Sequence, residues 1–426
     1  MDILLSKFAP SLFGTIQTLL GTVLLAETQS NSPIRWLCFP FIAALTYFQV
    51  ITGPNFSTAF MWNVAVGGAG FLLFLHLLNL LFITSIDLFP AQSDLENEKT
   101  TRNPNPMSRI ERYQHAVRYI INFRGVGTKY QISKLPPFPV PYNSAPWPRA
   151  YFLLRQTAII AWQCLLLDLI AVAMHQLTQT DRDYYFGNGM EFRLLTLSGK
   201  QLLARIFGVF VPCLLLLRVA LDSSTRLCAV PLVLSGATSI DEWPPVFGSL
   251  RDAYTLRHFW GTSWHQFLRW PLTSCCTFVT LSLLGLSRPS LLERYTHLTL
   301  VFMLSGILHV VYYIASGITG GSSGAMLCFT SNAFGVVFED AIIYCWRRAL
   351  PGVETQRLAK CVGYIWVISY LCCTMAWWFY PALRLTPDAF AIVPSSGIAD
   401  KVGVIGGWCI ATIAGLALKV VFKADV

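Results

Sequence analysis

Long apolar runs alternate with short polar stretches along almost the whole chain. Nine of them resemble membrane spans, at about residues 8–25, 36–51, 59–83, 151–175, 203–221, 295–317, 323–344, 361–383 and 402–422. A helix needs about 20 apolar residues to cross a hydrocarbon core of ~30 Å, and a helix also satisfies its own backbone polar groups there. The pattern therefore predicts an all-α polytopic bundle of about nine transmembrane helices.

A further apolar run, at about residues 271–286, is shorter than a usual span and could be re-entrant. In the polar segment before it, Leu250, Tyr254, His258 and Gly261 recur at near-helical spacing. This predicts an amphipathic helix in the membrane interface, with its tryptophans at headgroup depth. Those tryptophans are Trp243, Trp260, Trp264 and Trp270.

The chain shows no internal repeat, so residues 1–426 are interpreted as one membrane-embedded domain. Within it, residues 237–294 form the predicted interfacial segment. The longest polar stretch, residues 84–150, contains more basic than acidic residues, which indicates the cytosolic side of the membrane.

The amino-acid composition agrees with a membrane protein and limits the classes of ligand that the protein is expected to bind. Hydrophobic residues make up 54% of the chain and charged residues 12%, with a mean hydropathy of +0.53; a soluble protein has about twice this charged fraction. The net charge is +9, but the basic residues lie in loops and form no arm or stripe. Anionic headgroups or polyanionic ligands are therefore expected, and nucleic acid is not.

The twelve cysteines lie almost entirely in apolar runs and include no Cys-x-x-Cys spacing, so neither a disulfide framework nor a metal site is predicted. The clustered histidine boxes of di-iron hydroxylases and the aspartate-rich boxes of prenyltransferases are also missing. These two classes of membrane enzyme are thereby excluded.

His309 lies near the middle of an apolar run, where an ionisable side chain is costly and is a functional candidate by default. A structural histidine bonded to a neighbouring helix is the alternative. His258 and His265 are seven residues apart and would share one face of a helix. The simpler interpretation of His258 and His265 is contact with lipid headgroups, whereas the adjacent Trp264 and Gln266 favour a binding site.

Several short motifs together resemble the wax synthase-like branch of the membrane-bound O-acyltransferases, in particular its members from fungal natural-product pathways. They run in family order over roughly residues 120–345: Asn122–Thr128 with Pro136-Pro137, Ser249–Asp252, Phe259–Gly261, Trp264–Gln266, Ser305–His309 and Glu339-Asp340. Thr262 and Ser263 depart from the pattern, since many relatives carry a basic residue there.

The resemblance implies an acyl-CoA-dependent O-acyltransferase, with acetyl-CoA as the favoured donor, a longer acyl-CoA as the alternative, and no bound cofactor. The acceptor would be a hydrophobic alcohol, and in this branch the usual acceptor is a terpenoid or meroterpenoid intermediate of secondary metabolism. His309 corresponds to the histidine regarded as catalytic, and His265 occupies the place of an asparagine in other branches. Acyl transfer to an alcohol needs a general base, which one positioned histidine supplies.

The remaining candidate site residues lie in or beside the predicted interfacial segment or are polar residues in the apolar run that follows His309. Trp264, Gln266, Asn332 and Glu339 are expected to position the acceptor or donor; for Glu339, structural pairing within the bundle is the alternative. Arg251, Arg257 and Arg269 are candidates for the phosphates of coenzyme A, or they are interfacial arginines that extend to headgroups.

Three alternatives for the whole protein stay open. The first is a wax-ester synthase with long acyl and alcohol chains, and the others are a membrane transporter and a lipid-binding protein without catalysis. An integral protein of the endoplasmic reticulum membrane is expected, and its oligomeric state is unknown.

Overall fold

The computed structural model of the chain describes residues 2–89, 107–138, 142, 147–207, 213–318, 323–349, 356–385 and 390–423. These residues fold into α-helices joined by turns and short 3₁₀ or π-type segments, and no strand occurs among them. The all-α class predicted from the apolar runs is confirmed.

Eight helices of the described residues are long and apolar enough to cross a membrane. They are Ser6–Glu27, Pro33–Asn55, Phe60–Ile83, Pro148–His175, Leu291–Ala315, Ala325–Ala349, Arg357–Leu383 and Ile398–Phe422. The predicted ninth span, residues 203–221, includes residues 208–212, which lie outside the described part. The short run at 271–286 forms the helix Arg269–Thr277 and the π-type turn Phe278–Leu283.

The chain divides into two compact units. The first comprises residues 1–58, 62–132 and 267–320, and the second comprises residues 59–61, 133–266 and 321–426. The prediction that residues 1–426 act as one acyltransferase domain stays a prediction.

In the first unit, glycines let the helix that carries His309 approach its neighbours closely. A Cβ atom added to Gly68 would lie 2.4 Å from the ring of Tyr312, and one added to Gly53 would lie 2.5 Å from the carbonyl oxygen of Ala315. Ser290 begins this helix, Leu291–Ala315, because its hydroxyl accepts the backbone N–H of Glu293. The position of His309 is thus fixed by a capped start and a tightly packed end.

The polar stretch 84–150 also contributes to the first unit. Within it, the helix Arg109–Ile121 begins at a capping box in which Ser108 and Glu111 bond each other's backbone N–H groups. The following Asn122–Thr128 motif is a tight turn: the amide of Asn122 bonds both the N–H and the carbonyl of Val126 at 2.8 Å.

In the second unit, three elements position the motif residues. Two are helices, named here the Glu339 helix (Ala325–Ala349) and the Trp366 helix (Gln356–Leu383). The third is residues 249–266, named here the signature segment.

The signature segment corrects one prediction. It is not a continuous amphipathic helix: a 3₁₀ turn at Leu250–Asp252 is followed by one helical turn at Leu256–His258 and a π-type turn at Phe259–Ser263. Trp264 is then extended, with φ −75° and ψ 162°. His258 and His265 therefore do not share a helix face, because the helical spacing ends before His265. Periodicity missed this, since the turns are held by contacts from other parts of the fold.

Candidate active site

His309 is buried in the first unit, with 8% of its surface exposed. Its Nδ1 lies 2.7 Å from the carbonyl oxygen of Ser305, one turn earlier on the same helix. A carbonyl oxygen only accepts hydrogen bonds, so Nδ1 carries the proton in the neutral ring and Nε2 bears the lone pair. The helix itself thereby selects the tautomer that a general base acting through Nε2 requires.

The surroundings of His309 are apolar and aromatic. The ring of Tyr312 lies 5.4 Å from the imidazole, edge to face. Leu308 belongs to a buried cluster with Leu75 and Leu272, against which Leu304 and Tyr312 also pack. His309 itself is 8% exposed and so has little contact with bulk solvent.

A second buried histidine of the first unit, His76, was not recognised from the sequence. Its Nε2 lies 2.9 Å from the carbonyl oxygen of Tyr119, and its ring stacks on Phe123 at 4.3 Å. Phe123 belongs to the Asn122–Thr128 motif, so one structural role of that motif is to pack on His76. A polar residue in the apolar run 59–83 was the available signal.

In the second unit, backbone pairing closes the signature segment into a compact loop. The N–H of Gly248 donates to the carbonyl of Ser263 at 3.1 Å, and the N–H of Gln266 donates to the carbonyl of Val246 at 3.2 Å. A Cβ atom at Gly248 would lie 2.2 Å from the carbonyl oxygen of Thr262. Only glycine fits this position without a shift of the loop.

Aromatic rings surround the Trp264-His265 pair. Trp264 is 6% exposed and stacks on Phe259 at 5.5 Å, while the ring of Phe247 meets it edge to face at 5.3 Å. The imidazole of His265 lies 5.9 Å from the same Phe247 ring, also edge to face. Trp264 is thus packed on protein side chains, and the predicted headgroup depth of the tryptophans stays a prediction. Trp270, in the first unit, is likewise only 5% exposed.

Gln266 is buried and supports the loop. Its side-chain Nε2 donates to the carbonyl of Trp264 at 2.7 Å and to that of Trp260 at 3.3 Å. These bonds satisfy two carbonyls that the irregular backbone leaves outside a helix. These contacts show a structural role for Gln266 within the loop, and its predicted role in positioning the acceptor or donor stays a prediction.

Asn332 and Trp260 connect the signature segment to the Glu339 helix. The indole N–H of Trp260 donates to Oδ1 of Asn332 at 2.9 Å, and Nδ2 of Asn332 donates to the carbonyl of Cys328 at 2.8 Å. Asn332 is fully buried. Its side chain thereby fixes the orientation of a tryptophan in the middle of the segment.

Glu339 binds the start of the helical turn in the segment. Its carboxylate accepts the backbone N–H of Leu256 at 2.7 Å, the backbone N–H of Arg257 at 3.3 Å and the indole N–H of Trp366 at 3.1 Å. Only 6% of the residue is exposed. These contacts favour the structural pairing that the sequence had left open beside a substrate contact.

Arg257 is engaged by the adjacent carboxylate. Its Nε and Nη2 donate to the two oxygens of Asp340, at 3.1 and 2.5 Å, in a two-pronged ion pair. Arg251, in contrast, is exposed, and its main-chain carbonyl accepts the hydroxyl of Tyr364 at 2.5 Å. Arg269 belongs to the first unit, where burial lowers the pKa of its guanidinium.

Arg218 is a further charged residue beside the aromatic loop, and its place there was not predicted from the sequence. Its guanidinium carbon lies 4.7 Å from the centroid of the Phe247 ring, the same ring that contacts Trp264 and His265. A charged residue within the apolar run 203–221 was the available signal.

The candidate residues thus fall into two groups. Trp264, His265 and Gln266 lie together with Asn332, Glu339 and Arg257 in the second unit, whereas His309 and Arg269 belong to the first. Proximity of His265 to His309 stays a prediction. Among the described residues, no cluster of three or more histidine, cysteine or acidic side chains could hold a metal ion.

A helical membrane protein with a buried, tautomer-fixed histidine and an aromatic loop of this kind fits the transferases that work within a bilayer. The sequence model of the Membrane bound O-acyl transferase family matches residues 243–331, which include the signature segment and His309. No solved structure matches the chain.

Curated relatives resemble the chain over nearly its full length. Acetyltransferase atnC of Arthrinium sp is 34% identical over 420 residues, covering 97% of this chain and 96% of atnC. Acetyltransferase cdmC of Talaromyces verruculosus is 35% identical over 420 residues and 96% of each chain. Acetyltransferase TRI7 of Fusarium sporotrichioides is 33% identical over 83% of this chain and 81% of its own.

The chain belongs to the membrane bound O-acyl transferase family. It is an integral membrane enzyme that transfers an acyl group to a hydroxyl group, as the motifs predicted. The comparisons do not favour a transporter or a non-catalytic lipid-binding protein.

Proposed function

We propose that this enzyme transfers the acetyl group of acetyl-CoA to a hydroxyl of a hydrophobic terpenoid or meroterpenoid intermediate, in the endoplasmic reticulum membrane. The relatives named acetyltransferases support acetyl as the transferred group. The observation that carries the mechanism is the contact between His309 Nδ1 and the Ser305 carbonyl, which places the ring proton on Nδ1 and the basic lone pair on Nε2.

The reaction is a direct transfer between two bound substrates. Nε2 of His309 takes the hydroxyl proton while the alcohol oxygen attacks the thioester carbonyl carbon. The C–S bond of the tetrahedral intermediate then breaks, and the imidazolium returns the proton to the departing thiolate of coenzyme A. General-base catalysis of this kind contributes about 10² to 10⁴ in rate.

His265 assists in this proposal by donating a hydrogen bond to the carbonyl oxygen of the thioester, which becomes negative during attack. Its place within the aromatic loop of Phe247 and Trp264 limits its motion. Arg251 and Arg269 are the retained candidates for the phosphates of coenzyme A, because guanidinium groups bind phosphate oxygens in pairs.

Labelling of membranes tests this proposal. Microsomes that contain the protein are incubated with radiolabelled acetyl-CoA or palmitoyl-CoA and a panel of hydrophobic alcohols that includes terpenoid alcohols. We expect an acetyl ester of a terpenoid alcohol to form, and none in microsomes that carry His309→Ala. Labelling only from palmitoyl-CoA would overturn acetyl transfer in favour of a wax-ester synthase, and no labelled ester from either donor would contradict the whole proposal.

A further inference from the structure

The signature segment contains too little regular structure to hold itself. Its helical turn spans only Leu256–His258, and a single turn is unstable in isolation because the first turn fixes several residues for one hydrogen bond. The adjoining π-type turn Phe259–Ser263 is equally short. The conformation of His265, which follows these turns, must therefore be set by contacts from other elements.

Every N–H group at the start of the helical turn has an acceptor from a side chain. Thr255 Oγ1 accepts from His258 at 3.0 Å, which is ordinary N-capping. The N–H groups of Leu256 and Arg257 donate instead to the Glu339 carboxylate, which is supplied by another helix. An anionic acceptor at a helix start is also favoured by the partial positive charge there.

Glu339 and Asp340 both bind Arg257 of the signature segment, one through its main chain and the other through its side chain. Glu339 holds the main-chain N–H of Arg257, while Asp340 holds its guanidinium through both carboxylate oxygens. Trp366 donates a third hydrogen bond to Glu339 at 3.1 Å. Because two of the five guanidinium donors and both Asp340 oxygens are used, Arg257 is directed toward this helix.

The signature segment, the Glu339 helix and the Trp366 helix pack closely around these contacts. A Cβ atom at Gly335 of the Glu339 helix would lie 2.8 Å from the Leu256 side chain, and one at Gly363 of the Trp366 helix would lie 2.2 Å from the carbonyl oxygen of Tyr254. Gly335 thus leaves room for the Leu256 side chain, and Gly363 leaves room for the Tyr254 backbone.

We propose that Glu339 and Asp340 are positioning residues that clamp the signature segment by its helical turn, and that Arg257 serves this clamp instead of binding the phosphates of the donor. The clamp orients His265 through the π-type turn, in which the N–H of Trp264 donates to the carbonyl of Phe259 at 2.7 Å. Its catalytic consequence rests on the proposed acetyl transfer.

Kinetics of Glu339→Gln test the clamp, with Asp400→Asn as the matched change of an exposed carboxylate to an amide. The glutamine keeps one acceptor oxygen but loses the charge and the second oxygen. A misplacement near 1 Å costs about 10²-fold in rate, so we expect kcat per folded enzyme to fall about 10- to 100-fold with the same pH profile. Wild-type kcat, or a shifted pH profile that indicates acid–base chemistry at Glu339, would overturn the proposal.

A double-mutant cycle separates the two roles of Arg257. If the ion pair matters, Arg257→Ala, Asp340→Ala and the double variant lose similar activity, because the first change already removes the interaction. A phosphate contact predicts instead that Arg257→Ala alone raises the KM for acetyl-CoA, with an effect that shrinks as salt increases. That second pattern would refute the assignment of Arg257 to the clamp.

Hydrogen exchange provides a readout that does not need activity. The purified full-length protein in detergent should exchange peptides covering residues 250–266 faster in Glu339→Gln than in wild type or Asp400→Asn. Unchanged exchange would contradict the clamp even if the enzyme were active. Faster exchange in a protein that acetylates no alcohol would leave the clamp standing while the proposed function fails.

Discussion

The two regions that carry candidate histidines are built in opposite ways. His309 lies on the regular helix Leu291–Ala315, and its ring is oriented by a carbonyl four residues earlier in the same helix. His265 follows a loop whose shape depends on Glu339, Asn332 and Trp366, which are distant in sequence. The proposed base, His309, is thus oriented locally, whereas the conformation of His265 depends on tertiary contacts, so mutations should affect the two regions differently.

Replacement of His309 tests the region that is organised by local contacts, and it should have the largest effect on acetyl transfer. His309→Gln removes the basic nitrogen while keeping a polar side chain, so we expect acetyl transfer to fall at least about 10²- to 10⁴-fold. The variant should still insert in membranes, as measured by its abundance and its elution as a monodisperse protein.

Ser305→Ala is the matched control for this change. The hydrogen bond to His309 uses the main-chain carbonyl of Ser305, which alanine retains. Activity should therefore stay close to that of wild type. Normal turnover by His309→Gln, combined with loss in a His265 variant, would move the base to the signature segment.

Replacement of His265 tests the region that is organised by tertiary contacts, and it should have the next largest effect on acetyl transfer. Loss of a single donor to a developing oxyanion costs about 10²- to 10³-fold, and we expect His265→Ala to lie near the lower end. His265→Asn should recover part of kcat, because the amide also donates a hydrogen bond. Equal activity of the alanine and asparagine variants, measured with saturating substrates, would argue against a donor at this position.

Two glycines sharpen the comparison further. Gly261 belongs to the Phe259–Gly261 motif, but a Cβ atom there meets nothing within 4 Å, whereas one at Gly248 would collide with the Thr262 carbonyl. Gly248→Ala should therefore displace the loop and lower kcat about 10-fold, together with the thermal stability in detergent. Gly261→Ala is the control and should change both little. A large loss of activity in Gly261→Ala and none in Gly248→Ala would contradict the view that close packing decides which glycine is needed.

The same contrast explains what the sequence could predict. The spans, and the choice of His309 as the candidate base, follow from hydropathy, from one polar residue in an apolar run and from a short motif, all of which are local. The broken course of residues 249–266 could not be predicted in this way, because its turns depend on backbone groups that the side chains of Glu339, Gln266 and Tyr364 satisfy. The capping role of Glu339 was visible only as an unusual carboxylate in an apolar run. Gly248 carried no signal, since its need for glycine arises from a carbonyl 14 residues away.

Arg251 should give the smallest effect, and it separates the donor contact from the clamp. Unlike Arg257, Arg251 is exposed on the signature segment. Exposed ion pairs contribute up to about 1 kcal/mol, so Arg251→Ala should raise the KM for acetyl-CoA by about 2- to 5-fold at low salt and leave kcat unchanged. The difference should fade at high ionic strength, because added salt screens an exposed charge. Lys200→Ala, which removes another exposed cation, is the control. A KM that does not change at any salt concentration would remove Arg251 from the donor site and leave Arg269 as the remaining candidate.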